Sequence, residues 1–88
     1  MKKSVIMSIE NTTGINAQMA QKIVQVASEF ESDILLRYFK KEVDLKSILG
    51  IMSLAVLEGA SVEIEARGAD AEAAITAIRD TVAKGGIK

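Results

Sequence analysis

Asp44-Leu45-Lys46-Ser47-Ile48-Leu49-Gly50-Ile51-Met52-Ser53-Leu54 passes from the end of an alternating segment, across a polar shoulder, into a short apolar one. Ser47 stands just before Ile48, Leu49, Ile51 and Met52, where a hydroxyl can accept a hydrogen bond from the free backbone N–H groups that open a helix. Residues 48–54 are therefore predicted as a short helix with Ser47 as its N-cap. Gly50 occupies the place where a capping box would carry Glu or Gln, so the cap rests on the hydroxyl alone. The same position suits a switch, because a phosphate there would add a charge of about −1.5 to −2 where N–H groups and the helix dipole favour anions. Cap and switch do not exclude each other.

Immediately upstream, Glu42-Val43-Asp44-Leu45 and Ile34-Leu35-Leu36-Arg37-Tyr38 read as two strands, rich in branched apolar residues and close enough to form a hairpin. The turn between them, near Phe39-Lys40-Lys41, lacks the Asn, Asp or Gly that a tight two-residue connection prefers, so it is expected to be longer, bulged or strained. Phe39 is expected to be partly exposed, as a scattered surface aromatic or as an anchor for a partner or second protomer. Further back, Ala20, Ile23, Val24, Ala27 and Phe30 recur at helical spacing, with Lys22, Gln25, Ser28 and Glu29 on the wet face and Asn16 as the N-cap. Ser32 and Asp33 break this helix. Before it, Val5, Met7 and Ile9 alternate across residues 4–9 as one face of a strand, and Glu10-Asn11-Thr12-Thr13-Gly14 supplies a turn.

Downstream, Glu58-Gly59-Ala60 turns into Ser61-Val62-Glu63-Ile64-Glu65-Ala66, whose strict alternation puts Val62, Ile64 and Ala66 inward and Glu63 and Glu65 in water. Gly68 ends this strand. Asp70 is expected to cap a last helix with Ala71, Ala74, Ile75, Ile78 and Val82 on one stripe, closed by Lys84 and Gly85. The order βαββαβα implies an α+β open-faced β-sandwich: one four-stranded antiparallel sheet covered on one face by three helices, in a single domain over residues 1–88.

Composition narrows the chemistry. Among 88 residues there is no cysteine, which excludes disulfides, thiolate catalysis and sulfur-ligated metals, and no histidine, which removes the usual general base and the commonest metal ligand. No pair of carboxylates has a spacing that argues for acid–base work, so neither an enzyme nor a cofactor or metal protein is expected. Lysine and arginine total 11 against 12 acids, and the aromatics are only Phe30, Tyr38 and Phe39, so nothing points to direct nucleic-acid or membrane binding. Met1-Lys2-Lys3-Ser4 runs into the first strand rather than into a signal peptide, and a cytoplasmic protein is the expectation.

Thr13-Gly14-Ile15 with Ala17 and Ala20, Leu45-Lys46-Ser47-Ile48, Gly50 with Met52-Ser53-Leu54, Gly59-Ala60 and Gly68-Ala69-Asp70 together resemble HPr, the small phosphocarrier of the bacterial phosphoenolpyruvate-dependent sugar phosphotransferase system. The resemblance spans nearly the whole chain and implies the same open-faced sandwich. HPr proteins accept phosphate from enzyme I on a histidine at the first helix, followed one residue later by arginine and then proline. Here those places hold Asn16, Gln18 and Met19. An amide nitrogen delocalised into its carbonyl forms no labile phosphoramidate, and Gln18 offers a neutral donor where arginine offers fixed charge, so the resemblance implies that the carrier site is lost.

The second family site is kept. In Gram-positive relatives the serine matching Ser47 is phosphorylated by HPr kinase/phosphorylase, and the phosphoserine form is a corepressor for the catabolite control transcription factor. The resemblance thus implies a regulatory role like that of the Crh-type (catabolite-repression HPr-like) members, which also lack the histidine but keep the arginine and proline. Ser47 is the phosphorylation candidate, and Asn16, Gln18, Lys46, Ile48, Leu49 and Met52 are the partner-binding candidates. The alternative is a phosphate-independent interaction module or homodimer using Ile48, Leu49, Met52 and Phe39. Residual phosphotransfer would need a nucleophile that the sequence does not supply.

Overall fold

The alternating and helical periods of the sequence resolve, in a computed structural model, into seven elements: β1 (Lys2–Ser8), α1 (Ala17–Ala27), β2 (Asp33–Tyr38), β3 (Lys41–Asp44), α2 (Ile48–Ser53), β4 (Ser61–Arg67) and α3 (Ala71–Ala83). The structure describes residues 2–9, 15–54, 56 and 59–83. The expected turn at residues 10–14, Glu58, and the expected helix end at Lys84 and Gly85 lie outside these. The strands form one antiparallel sheet in the order β1-β4-β2-β3, so β4 and β2 are interior and β1 and β3 are edges. This is the α+β sandwich expected from the element order.

Register assigns every strand residue to a face. Val5 lies opposite Ile64, which lies opposite Leu36, which lies opposite Val43, and the parallel rows through Met7–Val62 and Ala66–Ile34 join it under the helices. There Ile9, Met19, Ile23, Ile34, Leu36, Leu45, Ile51, Ile64 and Ile78 are among the side chains fully withdrawn from solvent. Burial of each such aliphatic chain contributes roughly 1.5–3 kcal/mol, which makes this layer the main source of stability. α1 packs on α3 and α2, α3 lies over β1 and β4, and α2 rests against β3. The other face, among the described residues, has no helix over it. It carries Lys2, Ser4, Ile6 and Ser8 of β1; Ser61, Glu63, Glu65 and Arg67 of β4; Asp33, Leu35 and Arg37 of β2; and Glu42 and Asp44 of β3.

Three local readings change, and a fourth resolves to one of its expected forms. Leu45 lies beyond β3, buried, with its N–H on the Ile34 carbonyl at 2.9 Å. Glu65 was expected in water, but its side chain is only 3% exposed. β4 is an interior strand, so the Glu65 carboxylate is flanked and covered by Arg37 from β2, at 2.5 Å, and by Arg67, which also bonds it. Arg37 bridges further, to Glu42 of β3 at 2.6 Å and Glu63 at 3.6 Å, lacing three strands together. Asp70 precedes α3 and its carbonyl accepts the Ala74 N–H, but its carboxylate is turned to the α1–β2 connection instead of capping its own helix. It accepts from the Glu31 N–H at 2.9 Å, the Ser32 N–H at 3.0 Å and the Ser32 hydroxyl. The β2–β3 turn is not lengthened: Tyr38 pairs directly with Lys41 across a two-residue connection. Of the three expected forms it takes the strained one, since Phe39 has φ +57°.

Candidate functional site

Both expected caps form. Asn16, in extended conformation with φ −90° and ψ 179°, accepts the Met19 N–H on its side-chain oxygen at 2.8 Å. Ser47, with φ −120° and ψ 113°, accepts the Gly50 N–H on Oγ at 3.0 Å. Each side chain thereby satisfies one of the N–H groups that a helix start leaves without an intrahelical partner. The first turns differ in what they present. Met19 is fully buried and belongs to the core, while Ala17 and Gln18 are exposed.

Around Ser47 the apolar surface is open. Leu49 is 84% exposed, Ile48 40% and Met52 38%, whereas Ile51 on the opposite side of α2 is buried. The six-residue helix thus has a core side and a wet apolar side. Gly50 lets it sit low: a Cβ there would lie 3.3 Å from both Ser47 Oγ and Val43 Cβ, so any larger residue would press the hydroxyl from below. Lys46 is held in two directions, its N–H on Asp44 Oδ1 at 2.8 Å and its ammonium on the Phe30 carbonyl at 2.9 Å, beyond the end of α1.

Those contacts also fix how α1 and α2 run. The Lys46–Phe30 bond ties the start of α2 to the end of α1, and the Ile15 N–H on the Val56 carbonyl at 3.0 Å ties the start of α1 to the chain leaving α2. The two helices are antiparallel neighbours. Lys46, Ser47, Ile48 and Leu49 therefore cluster at one end, while Asn16 and Gln18 stand at the other, and Met52 lies between on the exposed side of α2. The sequence reading grouped these residues as one set. Their arrangement is a strip along the helix pair.

Two carboxylates near the sheet ends are electrostatically held. Asp70 titrates below the usual carboxylate range, first because of the Ser32 hydroxyl and then because of the Glu31 N–H. Glu65 is lowered first by its bond to Arg37 and then by Arg67, and Arg37 is raised in return, chiefly by Glu65. Neither carboxylate adjoins α2. Among the described residues, no group of three or more Asp or Glu side chains is placed to hold a metal ion, and no helix is long and apolar enough to cross a membrane.

The geometry has close counterparts. A family model described as PTS HPr component phosphorylation site matches residues 3–84. Similar solved structures include HPr-C-His from Thermoanaerobacter tengcongensis, 44% identical over 98% of each chain with a TM-score of 0.91. An HPr dimer from the same organism is 42% identical, over 98% of this chain and 99% of that one, with a TM-score of 0.79. Crh of Bacillus subtilis, a catabolite repression protein solved as a domain-swapped dimer, is 37% identical over 89% of this chain and 90% of its own, with a TM-score of 0.77.

Proposed function

The chain belongs to the HPr family of the phosphotransferase system, and on that premise we propose that it is a regulatory member without phosphocarrier activity, switched by phosphorylation of Ser47. The observation that carries this reading is the state of the two helix starts. At α1 the histidine position holds Asn16, whose side-chain oxygen is engaged by the Met19 N–H and whose amide is no nucleophile. At α2 a hydroxyl stands beside exposed Leu49, Ile48 and Met52.

Phosphorylation by HPr kinase/phosphorylase would place a dianion next to the first N–H groups of α2 and adjacent to Lys46. A charge-assisted bond to phosphate is stronger than a bond to a neutral carbonyl, so the dianion would compete with Phe30 for the Lys46 ammonium. The fold need not change. A partner such as the catabolite control transcription factor would read the new charge together with the apolar strip, bringing an Arg or Lys beside an apolar pocket. Gln18 and Asn16 would form the far end of the same contact. In this reading the protein is a single cytoplasmic domain, neither an enzyme nor a cofactor carrier, and touches neither nucleic acid nor membrane itself.

The test is intact mass after incubation with the kinase and ATP, beside Ser47→Ala and beside enzyme I with phosphoenolpyruvate. One added phosphate from the kinase, missing in Ser47→Ala and never acquired from enzyme I, is the expected result. Phosphate acquired from enzyme I, or none from the kinase, would sink it. A second reading, a homodimer acting without phosphate, is favoured by two facts together: relatives have been solved as dimers, and β1 is an edge strand bonded on one side only.

A further inference from the structure

The chain holds four methionines and no cysteine, so thioethers are its only oxidisable sulfur. The fold separates them. Met19 of α1 is fully buried, and Met7 of β1 is partly buried against the core. Met52 is 38% exposed on the outer side of α2, the most accessible methionine among the described residues. Its surroundings matter as much as its exposure. Ile48 precedes it by four residues and Leu49 by three, so on a helix both lie beside it, and both are exposed. Met52 is thus the middle of the apolar strip, with Asn16 and Gln18 beyond it. Ile51, on the opposite side, holds α2 to the core, so chemistry at Met52 leaves that packing untouched.

Peroxide reacts with a thioether in one step. A sulfur lone pair takes one oxygen, the O–O bond breaks, and the other oxygen leaves as water; sulfur gives up two electrons and the peroxide gains them. The sulfoxide is a polar acceptor where an apolar side chain stood. A partner that buries it without supplying a donor is left with an unpaired polar group. The step reverses when a methionine sulfoxide reductase removes the oxygen as water and a dithiol is oxidised to a disulfide.

We propose that Met52 is a reversible oxidation site through which peroxide switches off the apolar strip of α2. The site and the loss of apolar surface stand on the exposure of Met52, whereas the consequence for a partner rests on the regulatory reading of Ser47 given above. A chain phosphorylated on Ser47 and oxidised at Met52 would keep its charge and lose the apolar half of the contact.

The test treats the full chain with dilute hydrogen peroxide, removes the peroxide, and maps the oxygen by peptide mass spectrometry. Met52 is expected to be oxidised about tenfold faster than Met7 or Met19. The oxidised protein should keep its circular dichroism and elute earlier from a hydrophobic-interaction column. Reductases for both sulfoxide epimers, with dithiothreitol, should restore the original position. Met52→Leu keeps an apolar side chain of similar size and should elute alike before and after peroxide; oxidation of Met1 is common to both proteins and cancels in the comparison. After phosphorylation of Ser47, peroxide should weaken binding of the wild type to the untreated catabolite control transcription factor about tenfold. The affinity of Met52→Leu, whatever its value, should not respond. A protein that takes no phosphate fails the Ser47 reading and not this one, which the mapping and the elution still decide. Oxidation of Met52 no faster than of Met7 and Met19 overturns the proposal. So does an elution or an affinity that oxidised Met52 leaves unchanged, or a shift that Met52→Leu shares.

Discussion

Ser47 and Ile51 belong to the same short helix but differ in what their removal costs. Ser47→Ala deletes a single capping bond, for which about 1 kcal/mol is expected, whereas Ile51→Ala would leave a cavity costing roughly 2–5 kcal/mol. Chemical denaturation of Ser47→Ala should therefore show a fully folded protein with a slightly lower midpoint, so a loss of phosphorylation in that variant is not a loss of fold. Asn16→His alone should not restore phosphate uptake from enzyme I, because Gln18 still supplies no fixed positive charge; intact mass would report any gain. Both caps were legible in the sequence because a cap is a contact between residues three apart. Asp70 was misread for the opposite reason. Its carboxylate bonds Glu31 and Ser32, nearly forty residues earlier, and no local pattern announces that.

The elements were legible wherever periodicity is local, and less so at their ends. β4 shows the limit: its alternation assigned Glu63 and Glu65 to the correct face, but the burial of Glu65 comes from Arg37 and Arg67, and Arg37 is on another strand. The β2–β3 turn was recognised as chemically unsuited to a tight hairpin, and the structure keeps it tight by straining Phe39. Replacing Phe39 with Asn should raise stability by up to about 1 kcal/mol, since the left-handed conformation costs a bulky residue roughly 1–2 kcal/mol; thermal melts would show it. Gly68 is the reverse case. With φ +149°, a Cβ there would lie 2.5 Å from Ser32 Oγ and 2.8 Å from Ser32 Cα, and backbone at that distance cannot step aside. Gly68→Ala should destabilise the fold by about 2–4 kcal/mol, read as a markedly lower urea midpoint, through displacement of the Ser32 and Asp70 junction.

At the scale of the molecule, stability should depend on acid through two carboxylates. Asp70 and Glu65 titrate lower in the folded state than in the unfolded chain, so each contributes stability that is complete above its unfolded value, around pH 4, and is lost as pH falls through the lower folded value. Melting temperature measured from pH 7 downward should hold until about pH 5 and then drop; Asp70→Asn and Glu65→Gln should each start less stable and show a shallower drop. The fold as a whole was readable because seven short elements in this order leave few ways to bury one apolar face. The order of the strands was not, since pairing β1 with β4 is a choice among distant partners. That pairing bears on how the chain is made. Among the described residues β1 finds its sheet neighbour only at residues 61–67, so a nascent chain halted before residue 61 holds β1 without a partner. Sheet closure must wait until residues 61–67 have been synthesised, so the sheet is completed as a late, cooperative event rather than by growth outward from β1.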